Sequence, residues 1–480
     1  VILDRVPLKP LWAPSRAFVE QSNLKKFQNW LFVKKGLYFR DYYDLWDWSV
    51  TDLEDFWESI WQFCDVKSHS VYWDVLINPK KDFTGTQWFT GATVSYAEHI
   101  FRHKNANRPA LLYQSEQEPL REISWRELEK QVTALAAYLR QSGVGTGDKV
   151  AAILPNSPHA VAAFLATNSV GATWSICSPE MNTSDILDRF QPIAPKVLFA
   201  ADGYIQNGKS FDKLAIVKEL TGKLPTLKKT VLIPYIATAA QLPKTDNWPE
   251  ILKTSANSLE FTPVPFEHPL WILYKTELNG KLKAITHSVG GCLLEHLKML
   301  NIHQNIKAGE RLFWQGNTNS MMWNFSVSSM LVGGIPVFYE GAPSHPNINV
   351  FWDIVEKAKV NHFGENTAYF AACMNKNLTL QGYKFSHLQS ISSTDGTLSP
   401  EGFDWIYQKV KKDIWLISLH SDIHIGSGLA GGSPTLPVYS GEPQCRFLGC
   451  KLENYDKKDN LIRNGLEAIT FSQPMPSMPL

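Results

Sequence analysis

Long uncharged apolar runs are missing from this sequence. Nothing approaches the ~18 residues of a membrane-spanning helix, and the opening VILDRVPLKPLW holds no apolar stretch of signal-peptide length. Cysteine is scarce. Cys64, Cys177, Cys292, Cys373, Cys445 and Cys450 are scattered without C-x-x-C spacing, which excludes a thiolate metal cluster of that kind and, over 480 residues, a disulfide framework. A reduced, cytoplasmic setting is therefore expected. An excess of charge of either sign is also lacking. Lysine and arginine number 47 against 46 aspartates and glutamates, for a net +1. That excludes nucleic acid or an anionic membrane as a partner attracted by bulk charge. None of the strands read between Leu111 and Ile233 is followed by G-x-G-x-x-G, so a dehydrogenase-type dinucleotide fold is not expected. Internal repeats and low-complexity segments are absent as well.

What the chain has is aromatic mass and a rhythm of strands and helices. Its 17 tryptophans are read as packing residues of a large core. After a proline-rich lead-in, LKPLWAPS, residues 49–66 predict an amphipathic helix. Leu53, Phe56, Trp57, Ile60, Trp61 and Cys64 recur at helical spacing, and Thr51 with Glu54 suggests a capping box. From Leu111 strands alternate with helices. Ser124 and Glu127 open a helix that Gly143 stops, and Val150–Leu154 reads as a buried strand turned by Pro155-Asn156. Such alternation predicts an α/β fold with mostly parallel sheets covered on both faces. After Gly441 two short runs, 445–448 and 451–454, read as paired antiparallel strands followed by a polar turn at 457–460.

The most informative stretch is HPLWILYKTELNGKLKAITHSVGG, residues 268–291. An apolar strand, Leu270–Tyr274, leads into a polar loop from Lys275 to Lys283, then a short apolar run and a glycine pair. The loop is not the G-x-x-x-x-G-K-[ST] cradle. The whole stretch resembles the core motif of the AMP-forming acid–CoA ligases of the adenylate-forming superfamily, Ser-Ser-Gly-Thr-Thr-Gly-x-Pro-Lys followed by His-x-x-Gly-Gly. Tyr274, Gly280, Lys283, Ala284-Ile285, His287 and Gly290-Gly291 match it. Lys275, Thr276, Glu277, Leu278, Asn279 and Leu282 stand in place of Ser, Ser, Gly, Thr, Thr and Pro. Short matches in order run along nearly the whole chain, including Gly341, Gly441-Glu442 and Pro474-Met475-Pro476-Ser477, and are densest toward the acetyl- and acetoacetyl-CoA synthetases.

The resemblance implies a two-step reaction. A carboxylate attacks the α-phosphate of ATP, and coenzyme A then takes the acyl group from the adenylate. It implies ATP/AMP, Mg²⁺ and coenzyme A as cofactors and a short acyl or keto acid as substrate. In the phosphate loop it assigns Thr276 and Gly280 to nucleotide binding and Lys283 to catalysis, while Glu277 brings a repulsive carboxylate, worth roughly 4 kcal/mol against a phosphate charge at ~4 Å and an effective dielectric of 20. At the adenine platform Ser393, Thr394 and Asp395 lie in a segment matching Gly-Ser-Thr-Gly-Ser-Pro-Leu. At the metal position His424 stands in place of the Mg²⁺-binding acid and Ile423 in place of a threonine, with Asp422 as the carboxylate left nearby. An alternative reading puts His420, Asp422 and His424 on one face of an extended segment as zinc ligands. Met321 and Met322 are expected to wall the acyl pocket, where Ser320 replaces a tryptophan.

These matches imply the large domain of the family: two mostly parallel sheets with helices on their faces. The expected organisation is an N-terminal helical wrap over 1–110, an AMP-binding α/β domain over 111–440, and the start of a β subdomain from 441. The family's small C-terminal domain and its ribose-binding aspartate are not expected within these 480 residues. The functional expectation is a truncated and catalytically impaired acetoacetate-type ligase. The alternatives are a non-catalytic binding or scaffold module, or a chain completed by a second one.

Overall fold

The computed structural model describes residues 9–79, 83, 85–254, 258–277, 279–455, 461–462 and 468–480. Two seven-stranded sheets carry the fold. The first runs, edge to edge, through Asp246–Asn247, Lys229–Ile233, Val197–Ala201, Lys149–Ile153, Thr173–Cys177, Pro269–Thr276 and Leu282–Ser288. The second runs through Trp415–Ser418, Ser390–Thr394, His362–Asn366, Arg311–Trp314, Ile335–Glu340, Pro109–Ser115 and Arg121–Ser124. Each sheet is parallel apart from one terminal antiparallel hairpin. The expected α/β architecture is the observed one.

Strand alternation explains why both faces are covered. In Lys149–Ile153, Ala151 and Ile153 pack into a smaller core beneath the helices Thr183–Ile193 and Leu214–Lys223, while Val150 and Ala152 turn into the main core. Val197–Ala201 divides the same way, Leu198 and Ala200 to one side, Phe199 and Ala201 to the other. A two-residue period therefore feeds two cores from one strand. The cap read at Ser124 is present, its Oγ accepting from the Glu127 amide (3.1 Å), and Ser399 Oγ accepts likewise from that of Gly402 (3.2 Å).

Three expectations need correction. The helix expected over 49–66 is two helices, Tyr42–Thr51 and Leu53–Phe63, that join at Asp52. Thr51 Oγ1 donates to the Asp47 carbonyl (2.7 Å) within the first helix, so no capping box forms. The polar loop expected from Lys275 to Lys283 is strand at both of its ends. Lys275 pairs directly with Lys283 and Thr276 with Leu282, leaving a tight turn at the tip. Finally, the runs near 445 and 452 do not pair with each other. Cys445–Arg446 joins His420–Asp422 and Ser427–Gly431 in a small sheet that begins ahead of Gly441, and Leu452–Tyr455 joins a separate three-stranded sheet. The expected turn at 457–460 lies outside the described residues.

The N-terminal helices pack on the long helix that starts at Val289. Trp12 Nε1 donates to Asp413 (2.8 Å), the Tyr42 hydroxyl to the Arg446 carbonyl (2.6 Å), and the Gly449 amide to Ser49 Oγ (2.9 Å). All six cysteines are free and buried. Among the described residues, no helix is long and apolar enough to cross a membrane.

Candidate active site

In open α/β sheets ligands sit beyond the carboxyl ends of the parallel strands. Here both large sheets direct those ends at one cleft of about 580 Å³. Its lining includes Trp314, Glu340, Asn366 and Thr394, each at the end of a strand of the second sheet, Glu365 one residue before such an end, and Pro155-Asn156 and Ser178, each just past a strand of the first. Asn156 stitches the sheets together. Its amide donates to Glu340 Oε2 (2.6 Å), its Nδ2 to the Tyr339 carbonyl (3.2 Å), and its Oδ1 accepts from Trp323 Nε1 (3.1 Å). Met321 and Met322 open a helix that Ser320 caps by accepting from the Trp323 amide (3.2 Å), and all three side chains border the cleft.

Thr394 and Asp395 also line the cleft, and Thr394 Oγ1 hydrogen-bonds Ser421 Oγ (3.1 Å). Asp395 takes a left-handed backbone (φ 58°), a conformation aspartate tolerates better than most residues. Ser393, one residue earlier on the strand, is fully buried, and its hydroxyl has no hydrogen-bond partner.

The structure leaves other expected site residues outside the cleft lining. Thr276 and Lys283 are exposed on the edge hairpin, and Gly280 (φ 80°) sits in its turn. The Glu277 amide donates to the Lys281 carbonyl (2.9 Å), the Gly280 amide to the Glu277 carbonyl (2.9 Å), and the Lys281 amide to Asn279 Oδ1 (2.8 Å). These three amides are spent within the turn and present no phosphate cradle. Leu278 lies outside the described residues. The glycines that follow have a packing role: a Cβ on Gly290 would lie 2.1 Å from the Phe266 ring, and one on Gly291 2.0 Å from the Pro476 carbonyl oxygen.

The metal position is likewise reorganised. Ser421 and Ile423 face the cleft, and the alternate residues Asp422 and His424 are not part of its lining. Asp422 Oδ1 accepts from both the His424 amide (2.7 Å) and His424 Nδ1 (2.7 Å). The zinc reading fails on geometry. A register shift between His420 and Ser421 and a turn at 423–426 break the common face, and no group of three His, Cys, Asp or Glu among the described residues is placed to hold a metal ion.

Of the cleft's carboxyls, sequence reasoning found Asp395 and missed the three glutamates. Glu180, Glu340, Glu365 and Asp395 line it, and no lysine, arginine or histidine is among its described lining residues. Burial pushes the Glu340 and Glu365 carboxyls up to about 8, although each accepts a backbone amide, and nearby carboxylates push the same way. The available signal was positional: Glu340 ends a parallel strand and Glu365 is the last residue but one of another. His287, by contrast, is structural. Its Nδ1 accepts from Trp271 Nε1 (3.0 Å) and its Nε2 donates to the His424 carbonyl (3.2 Å), while burial lowers it to about 4.

Comparison with known proteins agrees with this frame. Residues 98–418 match the family described as AMP-binding enzyme. The chain is 35% identical to an acetoacetyl-coenzyme A synthetase of Rhizobium meliloti (strain 1021), over 98% of this chain and 73% of that protein. It is 32% identical to an acetoacetyl-CoA synthetase of Danio rerio, over 98% of this chain and 72% of that one. A solved acetoacetyl-CoA synthetase from Streptomyces lividans superposes with a TM-score of 0.93 at 38% identity, covering 98% of this chain and 73% of its own. With its fold, its strand-end cleft and nearly its whole length in common with these proteins, the chain belongs to the AMP-binding enzymes, in their acetoacetyl-CoA synthetase branch.

Proposed function

We propose that this chain is an acetoacetate–CoA ligase-like protein whose adenylating half-reaction is impaired. In the reaction that its relatives' names describe, charge-neutralising donors must surround the ATP phosphates, and the resemblance adds a metal-holding carboxylate. One observation carries the reading: the cleft where that chemistry would occur is bordered by four carboxyl residues and by no cationic side chain among its described lining residues. The residues do not fit Mg²⁺, because Asp422 is engaged by His424 and imidazole is a poor ligand for that ion. Nor do they fit a triphosphate, since the hairpin turn spends its amides on itself. No step is therefore routed through either group. Met321 and Met322 border a space that would take a short acid. In the domain organisation that accompanies this reading, residues 1–110 wrap the main domain, 111–440 form the nucleotide-type fold, and a β subdomain follows.

Any residual nucleotide affinity is expected to favour AMP over ATP and to be independent of Mg²⁺. Each missing charge-assisted contact costs ATP on the order of 1.5–3 kcal/mol. Calorimetric titrations of ATP and AMP, each with Mg²⁺ and with chelator, test this. ATP binding that is tight with Mg²⁺ and vanishes with chelator would overturn it. A second reading, a non-catalytic binding module, is favoured by the same acidic lining.

A further inference from the structure

Glu365 is the most unusual group in the cleft. It is 3% exposed. Its Oε1 accepts from the amide and the Nδ2 of Asn366 (3.0 and 2.6 Å), while its Oε2 is buried without a hydrogen-bond partner, on a residue that borders the cleft. Leaving a buried carboxyl oxygen unpaired is costly, so the position calls for a donor from a ligand. Glu340, on the neighbouring side of the cleft, is a half-buried carboxyl whose Oε2 accepts from the Asn156 amide (2.6 Å), with an exposed carboxyl, Glu180, near it. Glu365 has Asp395 as its exposed neighbour.

The two pairs are separate. The strands ending at Glu340 and Asn366 flank the strand that ends at Trp314. Two strand spacings put the two glutamate positions about 10 Å apart. No third ligand brings either pair to a metal site among the described residues. Between them Trp314, Met322 and Phe351 supply apolar and aromatic surface, which suits a hydrocarbon spacer and attracts ammonium groups.

We propose that the cleft binds an alkyl diamine, one ammonium on Glu365 and Asp395 and the other on Glu340 and Glu180. This goes beyond the ligase reading and does not depend on it. The charged and titratable groups around Glu365 are Asp395, Tyr369 and Cys373, and those around Glu340 are Glu180, Glu116, Tyr113, Tyr235 and Tyr339. None is a cation. With both carboxyls lifted to about 8, a bound dication must displace their protons near neutrality. Binding then releases protons and strengthens with pH, up to the range where the ammonium groups themselves deprotonate, roughly 10.

The test is calorimetry on this chain with cadaverine, n-pentylamine and pentanoate, at about pH 7 and about pH 8.5, in buffers of different protonation enthalpy. Cadaverine is expected to bind with proton release and more tightly at the higher pH, n-pentylamine at least about tenfold more weakly, and pentanoate weakest. Glu365→Gln and Glu340→Gln should each weaken cadaverine by about tenfold or more while thermal unfolding stays cooperative. Absence of cadaverine binding at millimolar concentration, or pentanoate binding more tightly than cadaverine, would overturn the proposal. The AMP and ATP titrations are read separately, so a failure here leaves the ligase reading standing.

Discussion

Glu295 and Lys298 form an ion pair (2.8 Å) in which neither side chain is exposed. The contact is ionic rather than a well-aligned hydrogen bond, since neither Glu295 oxygen has a hydrogen-bond partner. Lys298 also donates to the Leu448 carbonyl (2.9 Å) and lies 5.2 Å from the Trp57 ring centre, so one ammonium joins the N-terminal wrap, the central helix and the C-terminal segment. Breaking such a pair from one side leaves a bare buried charge. Lys298→Met is therefore expected to cost about 3–5 kcal/mol, and the double variant Glu295→Leu/Lys298→Met considerably less. Urea unfolding of the three proteins measures both. A smaller loss in the single variant than in the double would contradict the account. At this scale the sequence was partly legible. Thr394, Asp395, Met321 and Met322 border the cleft as read from it. Glu340 and Glu365 were not found because nothing local distinguishes a glutamate near a strand end inside a cleft from one near a strand end in water. Asp422 and His424 were placed one residue out of phase, because the register of a short hairpin depends on its turn and a bulge.

Among the elements, the hairpin around 420–432 shows how the fold handles histidine. His287, His296 and His303 donate to the carbonyls of His424 (3.2 Å), Gly426 (3.0 Å) and Gly432 (3.1 Å), pinning the hairpin to the helix beside it. Burial lowers His287 and His296 to about 4, and holds His303 well below the ordinary imidazole value. His99 and His159 are lowered to about 4 as well. An unfolded chain takes these protons up near 6.5, so the unfolded state binds more protons as pH falls, and stability is lost from about 6.5 down through 4. Glu340 and Glu365 act in the opposite sense. Raised to about 8, they favour the folded state fully below the unfolded carboxyl value of about 4.3, and that contribution is lost as pH rises through 8. Thermal unfolding across pH should therefore peak near 6–7 and fall on both sides. A midpoint still rising between about pH 7 and 9 would contradict the assigned burial. A smaller test concerns the cap read correctly from sequence, since Ser124→Ala should cost about 1 kcal/mol in chemical denaturation. Elements with strong periodicity and caps were legible in the chain. The edge hairpin was not, because lysines and threonine on an exposed edge strand have the composition of a loop.

For the whole molecule, the sequence was most informative, since alternating apolar runs and many ordered short matches specify a large α/β domain of one family. What composition could not convey is how the cleft is charged. A net charge of +1 over 480 residues conceals a strand-end cleft bordered by carboxyls. On the proposed reading, the departures from the family pattern fall on turns and strand ends, where they would alter chemistry without removing core. Acetoacetate-dependent exchange of pyrophosphate into ATP by this chain tests the central claim most directly, because it reads adenylation alone. The account predicts no exchange above a protein-free blank, with or without Mg²⁺. Exchange well above the blank that requires both acetoacetate and Mg²⁺ would contradict it.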